Sequence, residues 1–126
     1  MNLSDNPLLN MVLARIRQLA AHEVGHTLGV KHNFAASYNN RASVMDYPAP
    51  LLTILGDNID LSDAYAVGVG EWDKVVIKYA YTEFGNEQDE KEGLQQILRD
   101  AYNKGLLYLT DDDSNVAGAP DVCSYS

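Results

Sequence analysis

Apolar residues recur at the spacing of one helix face in three stretches of the chain. In the first stretch these residues are Val12, Ile16, Leu19 and Ala20. Because proline suits the first turn of a helix and glycine commonly follows its end, the pattern predicts a helix from Pro7 to Leu28 that stops before Gly29. Asp5 or Asn6 can cap its first amides. We expect the apolar stripe of this helix to pack against another part of the protein.

Two further helices are predicted in the second half of the chain. One runs to about Phe84. Its apolar face carries Trp72, Val75, Val76, Tyr79 and Ala80. The other is capped by Asn86 and ended by Gly105. Its apolar face carries Leu94, Ile97, Leu98, Ala101 and Tyr102. Residues 106–110 could form a short strand, and the chain beyond Asp111 is polar without a clear closing element.

Between the first and second helices lies a long segment, residues 30–60, that is rich in asparagine, serine, proline and glycine. Pro48 and Pro50 exclude a helix through it, and a long irregular segment inside a compact domain is usually functional. The predicted fold is therefore mainly α, in a single domain with at most one or two short strands. Its parts are residues 1–29 with the first helix, the loop 30–60, residues 61–84 with the second helix, and residues 85–126 with the third helix and a polar tail.

The net charge of the chain argues against some classes of partner. Nine lysines and arginines against eighteen acidic residues give a net charge of −9, which argues against nucleic acid as a partner. No stretch approaches the roughly 18–20 apolar residues of a membrane span. The acidic clusters at residues 87–92 and 111–113 are interpreted as solvated faces, with a cation site as the alternative. Asp57, Asp60 and residues 111–113 show no ordered ligand series for calcium, so no calcium site is predicted. Cys123 is the only cysteine, which excludes a disulfide within the chain.

The motif that carries chemistry starts in the first predicted helix and uses all three histidines of the chain. It reads His-Glu-x-x-His-x-x-Gly-x-x-His and comprises His22, Glu23, His26, Gly29 and His32. Residues four apart on a helix share a face, so His22 and His26 can reach one metal ion, and a turn at the glycine can return His32 to it. Three imidazoles leave the fourth position of a tetrahedral zinc to water, which is the arrangement of a catalytic site. Glu23 then takes a proton from the zinc-activated water as general base.

These residues resemble the extended zinc-binding signature of the metzincin clan of metalloendopeptidases. Residues 43–47 support the resemblance, because they are similar to the clan's Met-turn, with Met45 as its methionine. In astacin-like and serralysin-like members, a tyrosine two places after this methionine is a zinc ligand at rest and stabilises the transition state. The resemblance implies this role for Tyr47, whose hydroxyl would donate to the developing oxyanion. A loop tyrosine packed on Pro48 is the alternative.

The resemblance covers about residues 8–84 and implies a zincin-like C-terminal subdomain. Residues 22–50 are similar to a bacterial group of large metzincin-like proteases, whereas Asn33 and Asp46 differ from the residues of astacins and serralysins at these positions. Metzincins place a twisted sheet before the zinc helix, and its edge strand holds the substrate. We therefore expect this chain to be part of a larger enzyme, with the remainder of that enzyme and a peptide or protein substrate as partners. The resemblance also implies a secreted or cell-envelope location.

The sequence thus predicts a zinc-dependent metalloendopeptidase. The main alternative is a zinc-binding but catalytically silent structural or interaction module, which would need the histidines but neither Glu23 nor Tyr47. A metal-free helical binding domain with an acidic surface is the third hypothesis, and it predicts that zinc does not raise the melting temperature.

Overall fold

The computed structural model describes residues 5–114 and is mainly helical, as the sequence predicts. Its elements are helix α1 (Pro7–Thr27), a 3₁₀ helix (Ala36–Asn39), strands β1 (Thr53–Leu55) and β2 (Asn58–Asp60), and helices α2 (Glu71–Tyr81), α3 (Glu87–Asn103) and α4 (Asp111–Ser114). The two strands form an antiparallel hairpin. No helix within residues 5–114 combines the length and the apolar character needed to cross a bilayer. Cys123 lies outside the described residues.

Helix α1 begins and ends close to the predicted residues. The side chain of Asn6 is its cap and accepts hydrogen bonds from two amides of the first turn at 3.1 and 3.2 Å. Asn6, rather than Asp5, therefore has this role. The helix ends at Thr27, and Gly29 follows with a φ of 85°, a backbone conformation that favours glycine.

The predicted apolar stripe of α1 is exposed in the described part of the chain, so residues 5–114 do not cover it and its packing stays a prediction. Val12, Ile16 and Leu19 are 45%, 55% and 40% exposed. The buried face of the helix instead carries Gln18 and His22, both of which contact the carbonyl of Val44. An apolar stripe identifies a helix face that is suited to burial, but it does not identify the residues that bury it.

Most of the buried core lies in the segment that the sequence predicts as a functional loop. Its buried residues are Asn33, Phe34, Ala35, Ala36, Ala42, Ser43, Val44, Met45 and Asp46. The chain turns between these two runs through Asn40 and Arg41, whose φ angles are 54° and 60°. The amide of Asn33 joins the runs by donating to the carbonyl of Met45 at 2.9 Å. The segment is thus ordered and forms the centre of the fold.

Helices α2 and α3 pack against each other beside this core. Helix α2 ends at Tyr81, earlier than the predicted end at Phe84. Asn86 caps α3 as predicted, since its side chain accepts a hydrogen bond from the amide of Asp89 at 2.9 Å. Gly93 of α3 lies so close to the ring of Phe84 that a Cβ on this glycine would overlap the ring. The close approach brings α3 against the turn that leaves α2.

The segment after α3 differs from the prediction. Residues 106–110 form no strand, and three of their backbone groups bond instead to the side chains of Asn33 and Asn39. The chain then enters α4, a short helix at a place where the sequence predicts no closing element. We call residues 106–114 the C-terminal arm.

Candidate metal centre

Three histidine rings meet between α1 and the segment that follows it. His22 and His26 come from consecutive turns of α1, and His32 lies beyond the turn at Gly29. One ring nitrogen from each histidine lies within 4.8 Å of the other two, so the three residues could hold a metal ion. The structure therefore brings together the three ligands that the sequence predicts.

Each of the three rings is oriented by an oxygen atom on the side that faces away from the cluster. The Nδ1 atoms lie 2.7 to 2.9 Å from these acceptors, which are the carbonyl of Val44 for His22, the carbonyl of Val30 for His26 and a carboxylate oxygen of Asp111 for His32. Since carbonyl and carboxylate oxygens only accept hydrogen bonds, each Nδ1 carries the hydrogen in this arrangement. Each Nε2 then presents its lone pair to the space between the rings.

The distance between two of the nitrogens and the chemistry of all three fit zinc. The Nε2 atoms of His22 and His26 are 3.1 Å apart. Two nitrogens that lie about 2.0–2.1 Å from a tetrahedral zinc are about 3.4 Å from each other. Three imidazoles without a thiolate are also the donor set of catalytic rather than structural zinc sites. The cluster can therefore accept zinc with little rearrangement of these two rings.

Met45 lies beneath α1 at the level of the two helical histidines. Its side chain is 1% exposed, and its sulfur is where a Cβ of Gly25 would be. The glycine between His22 and His26 thus allows the methionine to approach the backbone of the helix. In this way the segment 43–47 packs directly against the helix that carries two of the three histidines.

Tyr47 borders the histidines on their exposed side. Its hydroxyl lies 2.9 Å from Nε2 of His32, and its ring centroid is 5.0 Å from those of both His22 and His32. Because Nδ1 of His32 carries the hydrogen, the tyrosine hydroxyl donates this hydrogen bond. Tyr47 is 54% exposed, so it is a solvent-facing neighbour of the cluster rather than a packed core aromatic.

Glu23 follows His22 on α1 and lies about 100° further round the helix. Its side chain is exposed, and within residues 5–114 no hydrogen bond or ion pair engages its carboxylate. The carboxylate is therefore available to a molecule that binds beside His22.

Comparison of the sequence with protein families agrees with this geometry. The sequence profile of the Met-zincin family matches residues 4–122. The chain belongs to the Met-zincin family. This match and the histidine cluster confirm the predicted resemblance to metzincins. Among curated proteins and among solved structures, none matches this Met-zincin.

Sequence reasoning misses Asp73, which holds the segment behind His22 in this Met-zincin. The buried carboxylate accepts hydrogen bonds from the hydroxyl of Ser43 at 2.5 Å, the amide of Val44 at 2.9 Å and the amide of Gly70 at 2.6 Å. The carbonyl of Val44 in turn orients His22. Asp73 thus connects the first turn of α2 to the metal centre. An acidic residue in a first helical turn is common for electrostatic reasons, so the sequence carries no signal for this second role.

Asp111 is the second residue that sequence reasoning misses. Residues 111–113 are exposed, as the interpretation of a solvated face predicts, but the carboxylate of Asp111 also contacts His32 from 79 positions along the chain. Burial raises the pKa of the Asp111 carboxyl and is the largest single effect, but the hydrogen bond and charge interaction with His32, a backbone hydrogen bond and the charge of Lys31 together outweigh it, so the pKa lies below its ordinary value. The interpretation holds for Asp112, which forms an exposed ion pair with Lys31.

Proposed function

We propose that this Met-zincin is a zinc-dependent metalloendopeptidase. Its proposed zinc ligands are His22, His26 and His32, and its proposed catalytic residues are Glu23 and Tyr47. One observation carries the proposal: the three Nε2 atoms face a common space while an oxygen acceptor engages every Nδ1. Ligating histidines in metal sites are held in this way, whereas histidines that only meet solvent have no need of such partners.

The reaction assigned to the site is the hydrolysis of a peptide bond. A bound zinc ion would supply a Lewis acid that acidifies water and polarises the scissile carbonyl. Glu23 takes one proton from the attacking water while the water oxygen bonds to the carbonyl carbon. As the carbon–nitrogen bond breaks, Glu23 returns this proton to the leaving amine, so the products are a carboxylic acid and a free amine. The open carboxylate beside His22 supports this role.

Tyr47 is the proposed donor to the oxyanion. Its hydroxyl donates to Nε2 of His32, an atom whose lone pair a zinc ion would take. The hydroxyl would then be free to donate to the negatively charged oxygen that develops on the substrate next to His32. A donor of this kind contributes about 10²–10³ in rate.

A zinc-binding but silent module is the rival function. Such a module requires the histidines and the groups that orient them, but it requires neither an unengaged carboxylate beside His22 nor a hydroxyl on the exposed side of the cluster. The exposure of Glu23 and the contact between Tyr47 and His32 therefore favour the enzyme.

Zinc binding tests the metal part of the proposal. We expect the purified chain to bind zinc and the His26→Ala variant to bind it far more weakly, because one ligand is lost. Zinc at about 100 times its Kd should raise the free energy of unfolding of the wild type by about 2.7 kcal/mol and leave that of the variant nearly unchanged. Atomic absorption gives the zinc content, and urea denaturation gives the stability. A wild type that binds no zinc would contradict the proposal and favour the metal-free domain.

Hydrolysis of an unstructured protein tests the catalytic part, with Glu23→Gln made in the larger enzyme that is proposed below. The amide keeps the size of the side chain and removes the base, so turnover should fall by about 10²–10⁴ while zinc affinity is retained. Glu83→Gln, at an exposed position after α2, is the matched control and should keep full turnover. Equal activity in Glu23→Gln and wild type would refute the role of Glu23. Zinc binding without any hydrolysis by the wild type would favour the silent module.

We also propose that this chain is the C-terminal part of a larger catalytic domain. The exposed stripe of Val12, Ile16 and Leu19 on the helix that carries two of the ligands supports this proposal, because a further part of the domain would cover it. The 126-residue chain by itself is then expected to bind zinc but to show weak or no proteolysis. Robust turnover by this chain would contradict the proposal.

A further inference from the structure

The acceptors that orient the three histidines differ in one respect. His22 and His26 donate to backbone carbonyls, whereas His32 donates to the carboxylate of Asp111 at 2.9 Å. A carbonyl is neutral and its position is fixed by the backbone. A carboxylate brings a negative charge, and its position depends on the segment that carries it. The third histidine is therefore the one whose orientation depends on a distant side chain.

The C-terminal arm that carries Asp111 is fastened next to His32. Asn33 is 0% exposed and follows His32 directly. Its side-chain nitrogen donates to the carbonyl of Leu107 at 2.9 Å, and its side-chain oxygen accepts from the amide of Leu109 at 3.1 Å. The amide of Phe34 donates to the carbonyl of Leu109 at 2.7 Å. The backbone of the arm is thus held in register with the backbone that carries the third histidine.

Two consecutive pairs continue this register to the acidic residues. Lys31 contacts Asp112 at 2.9 Å, and His32 contacts Asp111 at 2.9 Å. The carboxylate of Asp113 accepts from the amide of Thr110 at 3.1 Å, which fixes the entry into α4. The arm therefore brings one carboxylate to the ring and a neighbouring carboxylate to an ammonium group that is not part of the cluster.

We propose that Asp111 is a positioning residue for the zinc site, which holds His32 as the Nδ1–H tautomer with Nε2 directed at the ion. The proposal rests on the proposed function of the histidines as zinc ligands. A carboxylate acceptor on the far nitrogen fixes the ring orientation and makes the ligating nitrogen more basic, so it strengthens the bond to the metal. Asp111 itself touches neither the ion nor the substrate.

If the contact between Asp111 and His32 only stabilised the fold, loss of Asp111 would lower the melting temperature of the zinc-free chain. The Asp111 side chain is 59% exposed, and exposed ion pairs contribute little to stability. Loss of Asp111 should therefore leave the melting temperature of the zinc-free chain close to that of the wild type. Its effect should be found in the affinity for zinc and in the state of the His32 ring.

Competition with a chromophoric chelator measures the zinc affinity of the wild type, Asp111→Ala, Asp111→Asn and Asp112→Ala. Loss of an outer partner of a metal ligand typically costs about 10–100-fold in metal affinity. We expect Asp111→Ala to lower the zinc affinity by about 100-fold. Asp111→Asn should lower it by only about 10-fold, because the amide oxygen still accepts the hydrogen bond but lacks the charge. Asp112→Ala removes a carboxylate from the same helix without touching a ligand, so it should bind zinc as tightly as the wild type.

Nitrogen-15 NMR of the zinc-free chain gives a readout that does not depend on activity. The ring nitrogens of His32 should report the Nδ1–H tautomer in the wild type and in Asp112→Ala. In Asp111→Ala the population should shift toward the Nε2–H tautomer, while the signals of His22 and His26 stay unchanged. If Asp111→Ala does not fold, the zinc affinity of Asp111→Asn decides the matter, because this variant preserves the size of the side chain and the hydrogen bond but removes the charge.

The outcomes separate this inference from the proposed function. Wild-type zinc affinity together with an unchanged His32 tautomer in Asp111→Ala would overturn the role of Asp111 and leave the zinc site intact. If the alanine variant does not fold, wild-type zinc affinity in Asp111→Asn would do the same. An equal loss of affinity in Asp112→Ala would also overturn it, because net charge would then explain the effect. A wild type without zinc affinity would instead defeat the proposed function itself.

Discussion

The two sides of the histidine cluster are built differently. The inner side consists of His22, the segment 42–46 and Asp73, all of which are buried. The outer side consists of His32, Tyr47 and Asp111, whose side chains reach solvent. On the inner side, the hydrogen bonds that orient the ligand belong to the core of the fold. On the outer side, these hydrogen bonds are made by a few exposed side chains that do not belong to the buried core. Changes to the inner side should therefore alter stability, and changes to the outer side should alter zinc binding or catalysis at nearly constant stability.

The largest effect on stability is expected from Asp73→Ala. This change removes the acceptor of the Ser43 hydroxyl and of the amides of Val44 and Gly70. A buried donor left without a partner costs about 1–3 kcal/mol, so we expect the free energy of unfolding to fall by at least about 3 kcal/mol. Urea denaturation of the zinc-free chain measures the change.

Glu71→Ala is the matched control for Asp73→Ala, because it removes a carboxylate from the same turn of α2. The ion pair of Glu71 with Lys74 is exposed, so its loss should cost less than about 1 kcal/mol. Equal destabilisation by the two variants would show that the inner side has no special role in stability.

A smaller loss of stability is expected from Gly25→Ala, since the new Cβ would meet the sulfur of Met45. Overpacking of this kind typically costs about 1–3 kcal/mol. In a Met45→Ala background the sulfur is absent, and Gly25→Ala should become neutral or stabilising, because alanine favours a helix over glycine by about 1 kcal/mol. Thermal or urea unfolding of the four chains gives the coupling. If Gly25→Ala cost the same free energy of unfolding in both backgrounds, the contact with Met45 would not be the reason that glycine is favoured at position 25.

The smallest effect on stability is expected from Tyr47→Phe on the outer side. The hydroxyl group faces solvent and contacts only the edge of the cluster, so the free energy of unfolding should change by less than about 0.5 kcal/mol. In the proposed larger enzyme, kcat/KM for an unstructured protein substrate should nevertheless fall by about 10²–10³. Tyr81→Phe, which removes a hydroxyl bonded to the carbonyl of Leu28, is a control away from the ligands. Unchanged kcat/KM in Tyr47→Phe would remove Tyr47 from the mechanism.

Local signals in the sequence were enough for the parts of the fold that local physics determines. Asn6 and Asn86 cap their helices as the preference for asparagine at this position predicts. The spacing of His22 and His26 on a helix, followed by Gly29, predicted the convergence of the rings from backbone geometry alone.

The remaining features depend on residues that are distant in sequence. The buried face of α1 is set by the segment 42–46, which contacts Gln18 and His22 rather than the predicted apolar stripe. The backbone of residues 106–110 bonds to side chains of the loop instead of to a strand, and a strand-like apolar pattern cannot show this. Asp73 and Asp111 reach the cluster through tertiary contacts, so each reads in the sequence as an ordinary surface acid.

The side chain of Asn33 ties the backbone beyond the third histidine to residues 107–109. A protein engineer who transplants this histidine cluster into another scaffold would consequently have to carry two pieces of chain, the first spanning the motif and residues 43–47 and the second spanning the end of the arm. A graft limited to the motif would include His32 without the carboxylate on its far nitrogen. The smallest portable version of the centre is therefore discontinuous.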